Sequence, residues 1–159
     1  MFKRVVIPLD GSELAEAILP LIMQIAGPLD LEVTLLRIVQ PVPPEVIESA
    51  RYVALDDIER RQKEAETYLD GLAASVAASG LSVRTEVRRG MPVPEIVACA
   101  RERDADLVAM TTHGRSGLGR LLFGSVAEGV LRQGDFPVFF LRQTDKQVRA
   151  RAAATAGAR

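Results

Sequence analysis

A single cysteine and no tryptophan in 159 residues remove several possibilities at once. Cys99 has no partner for an internal disulfide and cannot found a metal cluster alone, so a secreted cystine scaffold is excluded and a reducing compartment is expected. Five Phe and two Tyr leave few platforms on which bases could stack. An excess of one charge is also missing: 20 basic against 21 acidic residues give a formal net charge of −1, with no field to recruit nucleic acid. There is no apolar run of the roughly 18 residues needed to span a bilayer, and Met1-Phe-Lys-Arg-Val-Val-Ile-Pro-Leu-Asp10 lacks the long apolar stretch of a signal peptide. The expectation is a cytoplasmic protein with neither nucleic acid nor membrane as a partner. What is present, 48% hydrophobic and 26% charged residues at a mean hydropathy of +0.12, is the composition of a folded domain with one core.

Along the chain, short apolar runs alternate with amphipathic stretches. Arg4 to Leu9 (RVVIPL) reads as a strand buried on both faces, ended by Asp10-Gly11-Ser12. Leu14, Ala17, Ile18, Leu21, Ile22 and Ile25 form a helical stripe after the candidate N-cap Ser12, ending near Gly27-Pro28; because the stripe stays in phase, Pro20 is expected to kink one helix and not to divide it. Glu32 to Val39 is a second strand, followed by a loop through Pro41-Val-Pro-Pro44. A long helix is expected from Leu55 to near Gly80, with the charged stretch Asp56 to Glu66 as its solvated face. Ser82 to Arg89 alternates Val83, Thr85 and Val87 with polar residues and belongs at a sheet edge. A short helix over Glu95 to Arg103, a buried strand over Asp106 to Thr111, a helix over Ser125 to Arg132 and a last strand over Phe136 to Leu141 complete the pattern.

Strands alternating with helices specify an α/β fold with a five-stranded parallel sheet and helices on both faces. If the third strand is the polar edge, the buried fourth must return to the other side of the first, giving the order 3-2-1-4-5. That order creates a switch point between strands 1 and 4, where two loops diverge and ligands bind at the carboxyl ends of the strands. The domain is expected to span 1–142. The remainder, 143–159, is Arg- and Ala-rich without an apolar stripe and reads as a disordered basic tail.

Both loops at the switch point carry candidate chemistry. The segment from Thr111 to Ser125, TTHGRSGLGRLLFGS, is rich in glycine and leads straight into a helix. Glycines let backbone N–H groups approach phosphate oxygens, and a helix N-terminus adds unpaired donors, so the segment is either a phosphate cradle or a flexible connection; its place at the switch point favours the cradle. It contains no Gly-Lys-Ser/Thr and is not a Walker A motif. Asp10 could meet a ribose hydroxyl or a polyphosphate-bound metal, or could equally close an Asx turn or cap the helix. His113, the only histidine, has no carboxylate or serine nucleophile in its motif to make it a catalytic base. Cys99, among alanines on a helical stripe, reads as a small buried thiol.

The opening VVIPLDGSELAEAIL, the later DLVAMTTHGRSGL, the GSVAEGVLR helix and the PVFFL strand together resemble the universal stress protein family over about residues 1–142. The resemblance implies a Rossmann-like homodimer, one branch of which binds ATP through G-x-x-G, nine residues, then G-S/T. Here Gly114, the nine residues from Arg115 to Phe123, and Gly124-Ser125 match that motif, whereas Thr111 replaces its first glycine. The same matching implies that Asp10 contacts the ribose or a phosphate-bound Mg²⁺, that Pro8 and Met110 border the adenine, and that the backbone near Ile38 reads its edge; Arg115 and Val126 join the implied cofactor-binding set. It suggests an ATP-binding stress-response sensor or regulator without fast turnover, since no residue stands out to orient water. The alternatives are a dimeric interaction module without nucleotide, and a weak ATPase or phosphotransferase using Asp10 or His113 with Ser125 as acceptor. For the homodimer, strand 136–141 gives independent support: an uncovered terminal strand of FPVFFL would aggregate unless paired.

Overall fold

Alternating burial along the strands builds the molecule. In the computed structural model, which describes residues 2–41, 51–114 and 124–144 together with 147 and 150, β1 (Arg4–Leu9) sends Val5, Ile7 and Leu9 to one face of the sheet and Val6 to the other. β2 (Glu32–Val39) divides Val33 and Leu35 from Leu36 in the same way. The first set packs on α2 (Leu19–Leu29) and α3 (Arg51–Ala77) through Leu19, Ile22, Ala26 and Leu69. The second set packs on α4 (Pro92–Glu102) and α5 (Ser125–Gln133) through Ile96, Cys99, Ala100, Ala127 and Val130. A fully buried side chain such as Ile7 contributes about 1.5–3 kcal/mol, so these two apolar layers carry the fold. Among the described residues, no helix is long and apolar enough to cross a membrane.

The sheet has five parallel strands in the expected order, with β3 (Val83–Arg89) and β5 (Val138–Thr144) at its edges and β4 (Leu107–Gly114) beside β1. Its register decides where a site can lie. β1 pairs with β2 along its whole length, from Arg4↔Glu32 to Leu9↔Arg37. It pairs with β4 only at Val5↔Leu107 and Val6↔Val108. Beyond Val108, β4 continues against β5 from Val108↔Val138 to Gly114↔Thr144. The carboxyl ends of β1 and β4 therefore part, and a crevice opens at the anticipated switch point.

Several boundaries depart from expectation for local physical reasons. Pro20 divides the first helix into α1 (Glu13–Glu16) and α2, because its ring nitrogen has no hydrogen for the Glu16 carbonyl; Ala17 and Ile18 nevertheless keep right-handed helical dihedrals, so the apolar stripe stays in phase. α2 also tolerates Pro28 in its last turn and closes on Asp30 in the left-handed conformation. α4 begins at Pro92, before the expected Glu95, since prolines suit a first turn whose N–H groups have no helical acceptor. β4 extends to Gly114, beyond the expected Thr111, because β5 supplies ladder partners that far. Regular pairing in β5 starts at Val138 and not Phe136, whose ring packs into the second apolar layer. β5 runs on to Thr144, so Gln143 and Thr144, expected to open the disordered tail, pair with β4 instead; the rest of that tail and the loop from 42 to 44 lie outside the described residues, apart from isolated positions 147 and 150.

The polar face of β3 carries ion pairs beneath α4. Glu86 accepts from Arg88 Nε at 2.5 Å and from Arg103 Nε at 2.8 Å, while Arg88 Nη2 also reaches Glu102 at 2.5 Å. Burial alone would push the Glu86 carboxyl up, but the hydrogen bonds from Arg103 and Arg88 outweigh it and hold the group below its ordinary value. A depressed folded-state value stabilises the protein above the unfolded value and is lost as pH falls through the folded one. The stability gap between wild type and Glu86→Gln, measured by urea unfolding, is therefore expected to be widest near neutrality and to narrow below about pH 4.5, the ordinary value of the group. On the same side, α4 and α5 meet so closely that a Cβ on Gly129 would lie 2.6 Å from Val93 Cγ2. Gly129→Ala is expected to destabilise by about 1–3 kcal/mol despite its better helix propensity, with Val93→Ala in the same chain recovering part of the loss in a thermal-melt double-mutant cycle.

Candidate functional site

Asp10 and Gly11 turn the chain out of β1 at the mouth of the crevice. Asp10 Oδ1 accepts from the Ser12 N–H at 2.9 Å and from the Ser12 hydroxyl at 2.5 Å, and Ser12 Oγ in turn accepts from the Ala15 N–H at 3.1 Å. The Asx turn and helix cap considered for this segment are both present, and Asp10 still lines the crevice. Gly11 takes φ +85°, which favours glycine, and a Cβ there would also crowd the Arg37 guanidinium at 3.2 Å from Nη1. Arg37 Nη1 donates to the Leu9 carbonyl at 3.3 Å, and its guanidinium lies 5.7 Å from the centre of the Tyr68 ring. Tyr68 donates to Glu16 Oε1 at 2.8 Å; burial first, then this bond to a carboxylate, push the phenol above its ordinary value. The turn is thus held from behind by a residue that sequence reasoning passed over. A lone arginine inside the otherwise apolar EVTLLRIV run was the available signal.

Between the parted strands lies a cavity of about 330 Å³. Pro8, Ile38 and Met110, from three different strands, form an apolar slot in its wall. Gly124, Ser125 and Val126, at the start of α5, line it as well, and so do Asp10 and Thr111. The structure therefore brings together eight of the ten anticipated site residues. Gly114 closes β4 in register with Thr144, and Arg115 lies outside the described residues. Gln40, Pro92, Ile96 and Thr112 join the wall without having been anticipated, because only the packed sheet brings the ends of β2, α4 and β4 to one place. Thr111 Oγ1 donates to the Ala15 carbonyl at 3.4 Å, which ties β4 to α1.

Three helices present their first turns to this cavity and differ in chemistry: α1, through Leu14 and Ala15, is capped by Ser12. α4 starts with Met91 as N-cap, followed by Pro92 and, two residues on, Pro94, so two of its early N–H donors are missing. Among the described residues, no side chain caps the start of α5 at Gly124, and a Cβ on Gly124 would meet nothing within 4 Å. Uncapped N–H groups and the positive end of the helix dipole there suit an anion. Cys99 is buried in the second apolar layer, and burial pushes its thiol up to about 11, which suits a packing role. Among the described residues, no three His, Cys, Asp or Glu side chains gather as a metal site.

The universal stress protein family model matches residues 1–142. The chain belongs to the universal stress protein family. Universal stress protein MJ0531 of Methanocaldococcus jannaschii is 31% identical over 147 residues, which cover 92% of this chain and 86% of that protein. The solved structure of MJ0577 from the same organism gives a TM-score of 0.76 at 26% identity, over 90% of this chain and 97% of that one. The structure of a universal stress protein from Archaeoglobus fulgidus in complex with dAMP shares the fold, with a TM-score of 0.55 at 20% identity over 88% and 97% of the two chains. The parallel sheet and its strand order are those of this family's structures, and the crevice lies at the sheet's switch point.

Proposed function

We propose that this universal stress protein binds ATP in the cavity between β1 and β4 and acts as a homodimeric stress-response sensor or regulator without fast turnover. The observation that carries the reading is the union, in one cavity, of an apolar slot (Pro8, Ile38, Met110) and the uncapped first turn of α5 (Gly124, Ser125, Val126). A flat base fills the first and anionic oxygens suit the second. The prolines of α4 leave its first turn poor in donors, which sets the polarity: base toward α4 and the sheet, phosphates toward α5. The dAMP carried by the related A. fulgidus protein is consistent with a nucleotide here. Gly114 and Arg115 take their place in the proposal from the family motif.

The residues present fit a Mg²⁺ ion carried by the nucleotide and not by a protein cage. Asp10 is the carboxylate on the cavity wall, and one carboxylate with several phosphate oxygens is an ordinary Mg²⁺ arrangement. Such an ion would neutralise phosphate charge. The homodimer is supported by β5, an edge strand on which Phe139 remains 37% exposed; pairing with a second copy would cover it.

Titration calorimetry of nucleotide-stripped protein with ATP, ADP, AMP and cyclic AMP tests the reading. Saturable heat with ATP is expected; its absence at millimolar ATP would shift the reading to an interaction module. Gly124→Val is expected to abolish that heat while leaving circular dichroism and oligomeric state unchanged, because a side chain at this position enters open space and the native φ of −58° suits any residue. Retained affinity would place the phosphates elsewhere.

A further inference from the structure

Thr112 follows Met110 by two residues on β4, shares its face of the sheet, and lines the cavity together with the first turn of α5. It is 7% exposed. Among the described residues, its hydroxyl is the sole buried side-chain polar atom without a hydrogen-bond partner. Buried hydroxyls are nearly always paired, and Thr111 beside it shows the ordinary outcome by donating to Ala15. Packing alone gives no reason for the hydroxyl, since valine has the same shape and suits a strand as well.

The surroundings indicate what would complete it. Met110, Ile96 and Ala127 are apolar, and Pro92 has no N–H. The described wall also holds Asp10, Gln40 and Thr111, but it is the start of α5 whose N–H donors favour an anionic oxygen. A phosphoryl oxygen seated there at neutral pH only accepts hydrogen bonds, and a threonine O–H can supply one.

We propose that Thr112 donates its hydroxyl hydrogen to a phosphoryl oxygen of the bound nucleotide at the first turn of α5, and so helps to position the phosphates. This rests on the ATP reading above and adds a specific side chain to it. The test is calorimetry with ATP, AMP and adenosine on wild type, Thr112→Val and Thr112→Ser, together with the melting temperature of each free protein. Thr112→Val is expected to weaken ATP and AMP about ten-fold or more and to leave adenosine unchanged. Thr112→Ser is expected to stay within about three-fold of wild type, because the donor remains. The free Thr112→Val protein is expected to melt no lower than wild type, since no internal hydrogen bond is lost. Should valine disturb folding, Thr112→Ala removes the same group and takes its place in the binding series.

Wild-type ATP affinity in the valine or alanine variant would overturn the assignment, as would an equal loss with adenosine. A lower melting temperature in Thr112→Val that serine restores would reveal a structural partner, such as a bridging water, and would also overturn it. If wild type itself gives no heat with ATP, the ATP reading fails and this assignment falls with it; if wild type binds and the valine variant binds equally, the role of Thr112 alone is refuted.

Discussion

The parting of β1 from β4 beyond Val108 is the constraint on which the rest of the molecule depends. A strand in a parallel sheet needs partners for its backbone groups, and β4 finds them against β5 all the way to Gly114. β1, meanwhile, stays paired to β2 as far as Leu9 and then turns at Asp10 and Gly11. Two neighbouring strands that begin side by side are thereby drawn to opposite partners, and the space between their ends becomes a cavity lined by both. Had the pairing of β1 and β4 continued, the same side chains would have closed over one another as core.

What the cavity can recognise follows from the helices that end on it. Three N-termini face one space, yet Ser12 caps α1 and prolines thin out the donors of α4, while a glycine without a capping side chain leaves those of α5 open. A ligand apolar at one end and anionic at the other has one favourable orientation in such a site. The close contact of Gly129 with Val93 fixes the spacing of these two helices, and the Arg37 guanidinium fixes the turn on the opposite lip. These supports lie outside the described lining of the cavity and act by holding geometry.

Much of this was legible in the residues themselves. The β-branched runs marked the strands, the polar alternation of Ser82 to Arg89 marked an edge, and those two signals together implied the strand order. Asp10 and the glycine-rich segment closing on Gly124-Ser125 were recognisable because they follow strand ends at the switch point, whereas Pro8, Ile38 and Met110 came only from the resemblance to the family. Pro20 was misjudged because an in-phase stripe reports which side chains face the core and says nothing of which carbonyls find donors. The charges of β3 carried a similar ambiguity: alternation placed Glu86 and Arg88 on a polar face, but only the position of α4 turned that face into a partly buried ion network.

By itself, then, the sequence determined the class of fold, the order of its strands and the two chain reversals that frame a site, because hydrophobic periodicity and turn chemistry are local and each residue carries its own preference. Tertiary structure decided how far β4 follows β5, which of three helix N-termini keeps its donors toward the cavity, and that one buried hydroxyl, on Thr112, is left without a partner. Those outcomes depend on neighbours distant in the chain. Hydrogen-bond satisfaction is a property of the assembled space, and no stretch of residues contains it alone.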